Sequence, residues 1–263
     1  MADLEALLDD FAAECADLET LVAPLTPEQW QTPTPAPRWD IATQIAHLTW
    51  TDEVSILAAT DADKFAALVA EAAPRILTAV DDAAEELAQI PPAELLDRWR
   101  AGREQLIAAL GAVPAGTKLP WFGPPMSAAS MISARIMETW AHGQDVADAL
   151  GVTRVPTDRL RTVAHISVRT RNFAYMVNGE SGPTEEFRVE LTAPNGTLWT
   201  WGPEDAPQRV TGPALDFCLI TTQRRHRADT TLTTEGPDAN HWLGIAQAFA
   251  GPPGQGRSAG QFT

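Results

Sequence analysis

The chain has 263 residues, enough for one large domain or two modest ones. Hydrophobic residues make up 44% and charged residues 21%, the balance of an ordinary globular protein. The formal net charge of −16 argues against nucleic acid, which requires a basic footprint, and against an anionic membrane surface.

No apolar run approaches the length that spans a bilayer. The opening Met1-Ala2-Asp3-Leu4-Glu5 is acidic and does not read as a signal peptide. Cys15 and Cys218 lie far apart, in helix-type patterns, and read as buried thiols in a reducing cytoplasm.

The first 150 residues read as helical. Leu4, Leu7, Leu8, Phe11, Ala12, Cys15, Leu18 and Leu21 recur at three- and four-residue spacing, the mark of an amphipathic helix. A connector follows with Pro24, Pro27, Pro33, Pro35 and Pro37, and with Trp30 and Trp39 expected to pack over the end of a bundle. Asp40 is a predicted N-cap for a helix through His47 to Ala59. Residues 63–87 are helix-rich and acidic. Pro92 suits a first helical turn, and a helix runs on through Leu95, Trp99, Leu106 and Leu110. A Gly- and Pro-punctuated loop with Trp121 and Phe122 leads to a helix over residues 126–150, ended by Gly151. Together these elements predict an up-and-down bundle.

The pattern then changes. Residues 158–177 still read as helix. From Phe187 apolar residues alternate, Pro194-Asn195-Gly196-Thr197 is a turn, and Leu198-Trp199-Thr200-Trp201 continues as a second strand, which predicts a hairpin. Residues 212–222 read as helix, 230–234 as strand and 242–249 as a last helix, before a Gly- and Pro-rich tail from Gly251 that is expected to be mobile. The second part is therefore predicted to be α+β.

Within the helix over 126–150 the only charged residues are Arg135, Glu138, Asp145 and Asp148. A helix so poor in charge is buried on most of its surface. Glu138 and His142, four apart, stack on one face. They could hold one face of a divalent metal, with His47 as the obvious third ligand. Two histidines and a glutamate form the ligand set of catalytic zinc sites, which keep a position open for water or substrate. Asp145, seven residues after Glu138, could orient His142 or complete the ligand set. The alternative is a hydrogen-bonded core pair with Arg135, since buried Glu and His need partners of some kind.

The order Trp39, Ile45-Ala46-His47-Leu48, Glu138-x-x-x-His142 and Asp145, followed by a small α+β part with Gly212-Pro213-Ala214-Leu215-Asp216-Phe217, resembles the mycothiol-dependent maleylpyruvate isomerase family. The resemblance covers nearly the whole chain. It implies a DinB-like, up-and-down four-helix metal-binding bundle over 1–153 and a small α+β, sterol-carrier-like domain over 154–263. It further implies a divalent metal, usually zinc, on His47, Glu138 and His142, and a low-molecular-weight thiol of the mycothiol type in the open position. The thiolate adds to a small electrophilic substrate; release of the thiol makes an isomerase, and its retention an S-transferase.

In such proteins an arginine of the second domain can face the metal cleft, and Arg224 or Arg225 could grip a carboxylate of substrate or thiol. Basic residues closing a helix are the plainer explanation for that cluster. The segments Val168 to Tyr175 and Arg224 to Arg227 differ from the isomerase itself, which points to a sister branch and leaves the substrate open. A monomer or homodimer acting on small molecules is expected. The competing readings are a binding protein for apolar ligands with a structural metal or none, and a metal-dependent hydrolase using Glu53 or Asp145 as base.

Overall fold

Capping residues set the limits of the long helices. Asp3 accepts a hydrogen bond from the Glu5 amide and starts α1 (Leu4–Val22). Asp40 starts α2 (Ile41–Thr60), its carboxylate accepting from the Thr43 amide at 2.8 Å and the Thr43 hydroxyl at 2.7 Å. The computed structural model describes residues 3–75 and 78–262, and the chain forms two compact units, Met1–Thr153 and Arg154–Thr263.

In the first unit α2 is followed by α3 (Ala62–Ala72) and α4 (Ala79–Leu87), so the predicted helix-rich stretch is two short helices. Then come α5 (Pro92–Gly111), with Pro92 in its first turn, and α6 (Ala128–Leu150). Ser127 caps the start of α6, and Gly151 closes it in the left-handed conformation, φ +67°. The four long helices form the bundle: α1 packs on α5 and α6, and α2 packs on the same two. Phe11, Leu18, Ile41, Ile45, Leu48, Leu95, Trp99, Leu106, Leu110 and Met131 are fully buried and fill its core. Between α5 and α6, Leu119 and Met126 exchange two backbone hydrogen bonds (2.8 and 3.0 Å), which ties off the loop carrying Trp121 and Phe122.

The second unit opens with α7 (Leu160–Arg169) and α8 (Arg171–Val177), where the sequence predicted one helix. Thr170 separates them. Its hydroxyl bonds the carbonyls of Ile166 (3.0 Å) and Gln247 (2.9 Å), competing with helical continuation. The predicted hairpin is β1 (Arg188–Thr192) and β2 (Leu198–Trp201), antiparallel, with Val189 opposite Trp201.

A third strand, β3 (Arg209–Pro213), was not predicted; it runs parallel to β1 and leads into α9 (Ala214–Thr221), so Gly212 belongs to strand rather than helix. Next, β4 (Thr233–Glu235) pairs antiparallel with β3, giving the order β2-β1-β3-β4. The last helix, α10 (Pro237–Ile245), begins five residues before the predicted Trp242 start. Trp242 meets the rings of Phe187 and Phe217 edge-on, both at 5.8 Å, at the centre of this unit's core. The two-part architecture expected from the sequence, a helical bundle and a small α+β unit, is the one observed.

Candidate metal centre

The seam between α2 and α6 carries the candidate site. Among the polar side chains that these helices bury are Gln44, His47 and Asp52 on α2, and Arg135, Thr139, His142 and Asp145 on α6. Each buried polar atom needs a partner in a low-dielectric surround.

His47 Nε2 lies 3.4 Å from Glu138 Oε2, and His142 Nε2 lies 3.1 Å from the same oxygen. One ligand atom from each of the three lies within 4.8 Å of the other two. Charge-assisted hydrogen bonds of this type are shorter, near 2.7–2.9 Å. Ligands held at zinc distances in a tetrahedral arrangement stand about 3.3 Å apart. The two contacts on Glu138 Oε2 match that second spacing. Burial raises the carboxyl pKa of Glu138, but the hydrogen bonds and charge of His142 and His47 outweigh it and hold the group well below the usual carboxylate range. Glu138 is thus an anion aimed at two imidazole nitrogens, a donor set suited to a divalent cation.

The two histidines are held differently. His142 Nδ1 donates to Gln44 Oε1 at 2.5 Å. The Gln44 amide nitrogen donates to Thr34 Oγ1 at 2.8 Å, and that hydroxyl donates to the Trp39 carbonyl at 2.8 Å. This chain assigns the Gln44 amide orientation and leaves His142 Nε2 as the bare nitrogen facing Glu138. His47 Nδ1, by contrast, is buried with no hydrogen-bond partner among the described residues.

Trp39 stands against both rings, stacked on His142 (centroids 5.7 Å apart, planes 22° apart) and tilted over His47 (5.2 Å). It is presented by a tight loop in which the Thr34 amide donates to the Trp39 carbonyl at 2.9 Å. Arg38, just before it, has φ +71°, an unusual left-handed conformation for a residue other than glycine.

The structure therefore brings together His47, Glu138 and His142. Asp145 lies two helical turns beyond Glu138 on α6 and is fully buried, outside this group of mutually close ligand atoms. Arg135 does not pair with Glu138; its Nε donates to Asp52 Oδ1 at 2.9 Å, so the core-pair alternative for Glu138 fails. Glu53, considered as a hydrolytic base, is gripped by Arg98 at 2.6 and 2.9 Å.

Arg224 and Arg225 belong to the second unit, after α9. Arg224 Nη1 donates to the Thr222 carbonyl at 2.6 Å, while the Arg225 guanidinium lies 4.6 Å over the Phe262 ring. Both cysteines are buried, and burial drives both thiol pKa values up, with Asp52 adding to the effect at Cys15. Neither suits a nucleophile. Sequence reasoning missed Trp39, Gln44 and Asp52 as parts of the site. Its available signal was the spacing of Gln44, His47 and Thr51, which puts three buried polar side chains on one face of α2.

A family model described as the mycothiol maleylpyruvate isomerase N-terminal domain matches residues 11–147. A second, described as wyosine base formation, matches residues 183–234. Two uncharacterized proteins of Mycobacterium tuberculosis, from strains CDC 1551 / Oshkosh and H37Rv, are each 57% identical over 257 residues, covering 98% of this chain and all of theirs. The crystal structure of the mycothiol-dependent maleylpyruvate isomerase superposes with a TM-score of 0.60 at 16% identity, covering 90% of this chain and 95% of that one. A histidine-to-alanine mutant of that enzyme gives 0.58 at 15%. At such identities the likeness is one of fold.

Proposed function

The chain belongs to the mycothiol maleylpyruvate isomerase family, and from that premise we propose that it is a divalent-metal-dependent enzyme using a low-molecular-weight thiol of the mycothiol type on a small electrophile. The observation that carries the reading is the convergence of His47 Nε2 and His142 Nε2 on one oxygen of Glu138, at 3.4 and 3.1 Å. That set would hold the ion, with zinc the best match to two imidazoles and one carboxylate. When bound, a divalent cation with an open position lowers the proton affinity of a thiol there, making thiolate available near neutral pH.

The chain's own residues do the rest. Glu138, ionised well below neutrality, offsets the cation's charge. Gln44 holds the His142 ring in the tautomer that presents Nε2. Trp39 shields one side of both imidazoles from water. Cys15 and Cys218 are buried with raised pKa values, so the thiol is a cosubstrate and not a side chain.

Sulfur adds to the electrophile. If the bond to sulfur later breaks, the product is an isomer; if it persists, the product is a thioether and the enzyme is an S-transferase. Asp145 is proposed as a support or base near the ligand set, and Arg224 and Arg225 as grips on a carboxylate. A cytoplasmic location, where such thiols are reduced, completes the reading, and no described helix is long and apolar enough to cross a membrane.

The test is metal content of the purified wild type against His47→Ala and His142→Ala. Loss of about one equivalent in each variant is expected. Unchanged content in both would overturn the reading. Turnover of an electrophile is expected only with added thiol; thiol-independent hydrolysis would favour a metal hydrolase instead.

A further inference from the structure

Three polar layers cross the α2–α6 seam in antiparallel register: Gln44 with His142, His47 with Glu138, and Asp52 with Arg135. The metal layer is the middle one. The first outer layer, through Gln44, is explained by its bond to His142. The second is an ion pair taken out of water: the Asp52 and Arg135 side chains are 1% and 4% exposed. Taking two charges out of water is costly, and apolar residues of similar size would hold the helices together at least as well. A role beyond packing is needed to explain the pair.

Its position supplies one. Asp52 is five residues after His47 on α2, and Arg135 is three before Glu138 on α6, so the pair ties the helices about one turn from the ligands. Asp52 Oδ2 and Arg135 Nη2 are buried and without hydrogen-bond partners among the described residues, and so is His47 Nδ1. A histidine that binds metal through Nε2 carries a proton on Nδ1. Of the two histidines, only His142 has a hydrogen-bond partner for that nitrogen among the described residues.

We propose that Asp52 and Arg135 are positioning residues for the metal centre: their buried ion pair fixes the α2–α6 register in which His47 meets Glu138. Arg135 Nε, donating to Asp52 Oδ1 at 2.9 Å, aims that carboxylate. The inference rests on the metal reading of His47, Glu138 and His142.

The experiment measures zinc affinity by competition with a chromophoric chelator, and the visible absorption of the cobalt(II)-loaded protein, which reports ligand geometry. The variants are Asp52→Asn and the double replacement Asp52→Leu/Arg135→Met, which removes both charges without stranding either. Glu19→Gln, in the ion-pair cluster with Arg100 and Arg103, controls for simple loss of stability. Zinc affinity is expected to fall about 10- to 100-fold in both Asp52 variants, with a changed cobalt spectrum, and to stay at the wild-type value in Glu19→Gln. If the double variant does not fold, Arg135→Lys, which keeps the charge and loses the planar fork, takes its place with the same expectation.

Wild-type affinity and spectrum in folded Asp52 variants would overturn the positioning role while leaving the metal reading intact. If instead the wild type binds no zinc, or His47→Ala and His142→Ala bind it equally well, the metal reading falls and this inference with it.

Discussion

Gln44 shows how much of the candidate centre depends on residues with no catalytic chemistry of their own. Its amide both fixes the His142 tautomer and reaches Thr34, which is bonded to the Trp39 carbonyl. Gln44→Leu removes the acceptor for His142 Nδ1 and leaves that N–H buried. Zinc affinity is expected to drop about 10- to 100-fold, measured by chelator competition, while the helical circular dichroism is retained. At this scale the i,i+4 pair Glu138 and His142 was legible, because helical periodicity alone sets their common face. Gln44, Trp39 and Asp52 were not. Their partners lie far off in sequence, 98 residues for Gln44 and His142, and no local spacing encodes a contact of that range.

Helix ends carried the strongest local signals. Asp40, Pro92 and Gly151 were each legible as boundaries, since a cap, a missing amide and a left-handed closing residue act within a few residues. Asp40→Ala should lower unfolding free energy by about 1 kcal/mol in denaturant melts, because the Thr43 amide loses its partner at the start of the helix that carries His47. Strand β3 was invisible for the opposite reason. Its sequence, Arg-Val-Thr-Gly-Pro, has weak strand propensity, and it forms because β1 and β4 flank it. Gly212 there has φ +142°, and a Cβ would come within 2.9 Å of Leu232, so the glycine is required by close packing and does not mark a helix start.

Between α1 and α5, Glu19 accepts from Arg100 at 2.9 and 2.7 Å and also pairs with Arg103. Burial raises its pKa, but the two guanidiniums outweigh that and lower it. A depressed folded-state pKa stabilises above the unfolded value, near 4.3, and that contribution disappears as pH falls through the folded value. Glu19→Gln should therefore cost about 1 kcal/mol at pH 7 and progressively less below pH 4, in parallel melts across that range.

For the whole chain, residues 151–159 link the two units and are mostly exposed, with Val155 at 85%. Limited proteolysis is expected to cut there first and to release two resistant fragments, because exposed linkers with few contacts open most easily. Zinc in excess should raise the melting temperature of the wild type, by a stabilisation of about 2.7 kcal/mol at one hundred times Kd, and leave His142→Ala unmoved.

The sequence by itself determined the helical first part and its caps, the β1–β2 hairpin, the acidic surface and the helical face shared by Glu138 and His142. All of these follow from periodicity, propensity or charge, which act over a few residues. Only the tertiary structure decided that Glu138 is shared between two imidazoles, that Arg135 serves Asp52 and not Glu138, that Trp39 covers the rings, and that β3 completes the sheet. Each of those depends on which distant segments are packed side by side, and packing is a property of the whole fold.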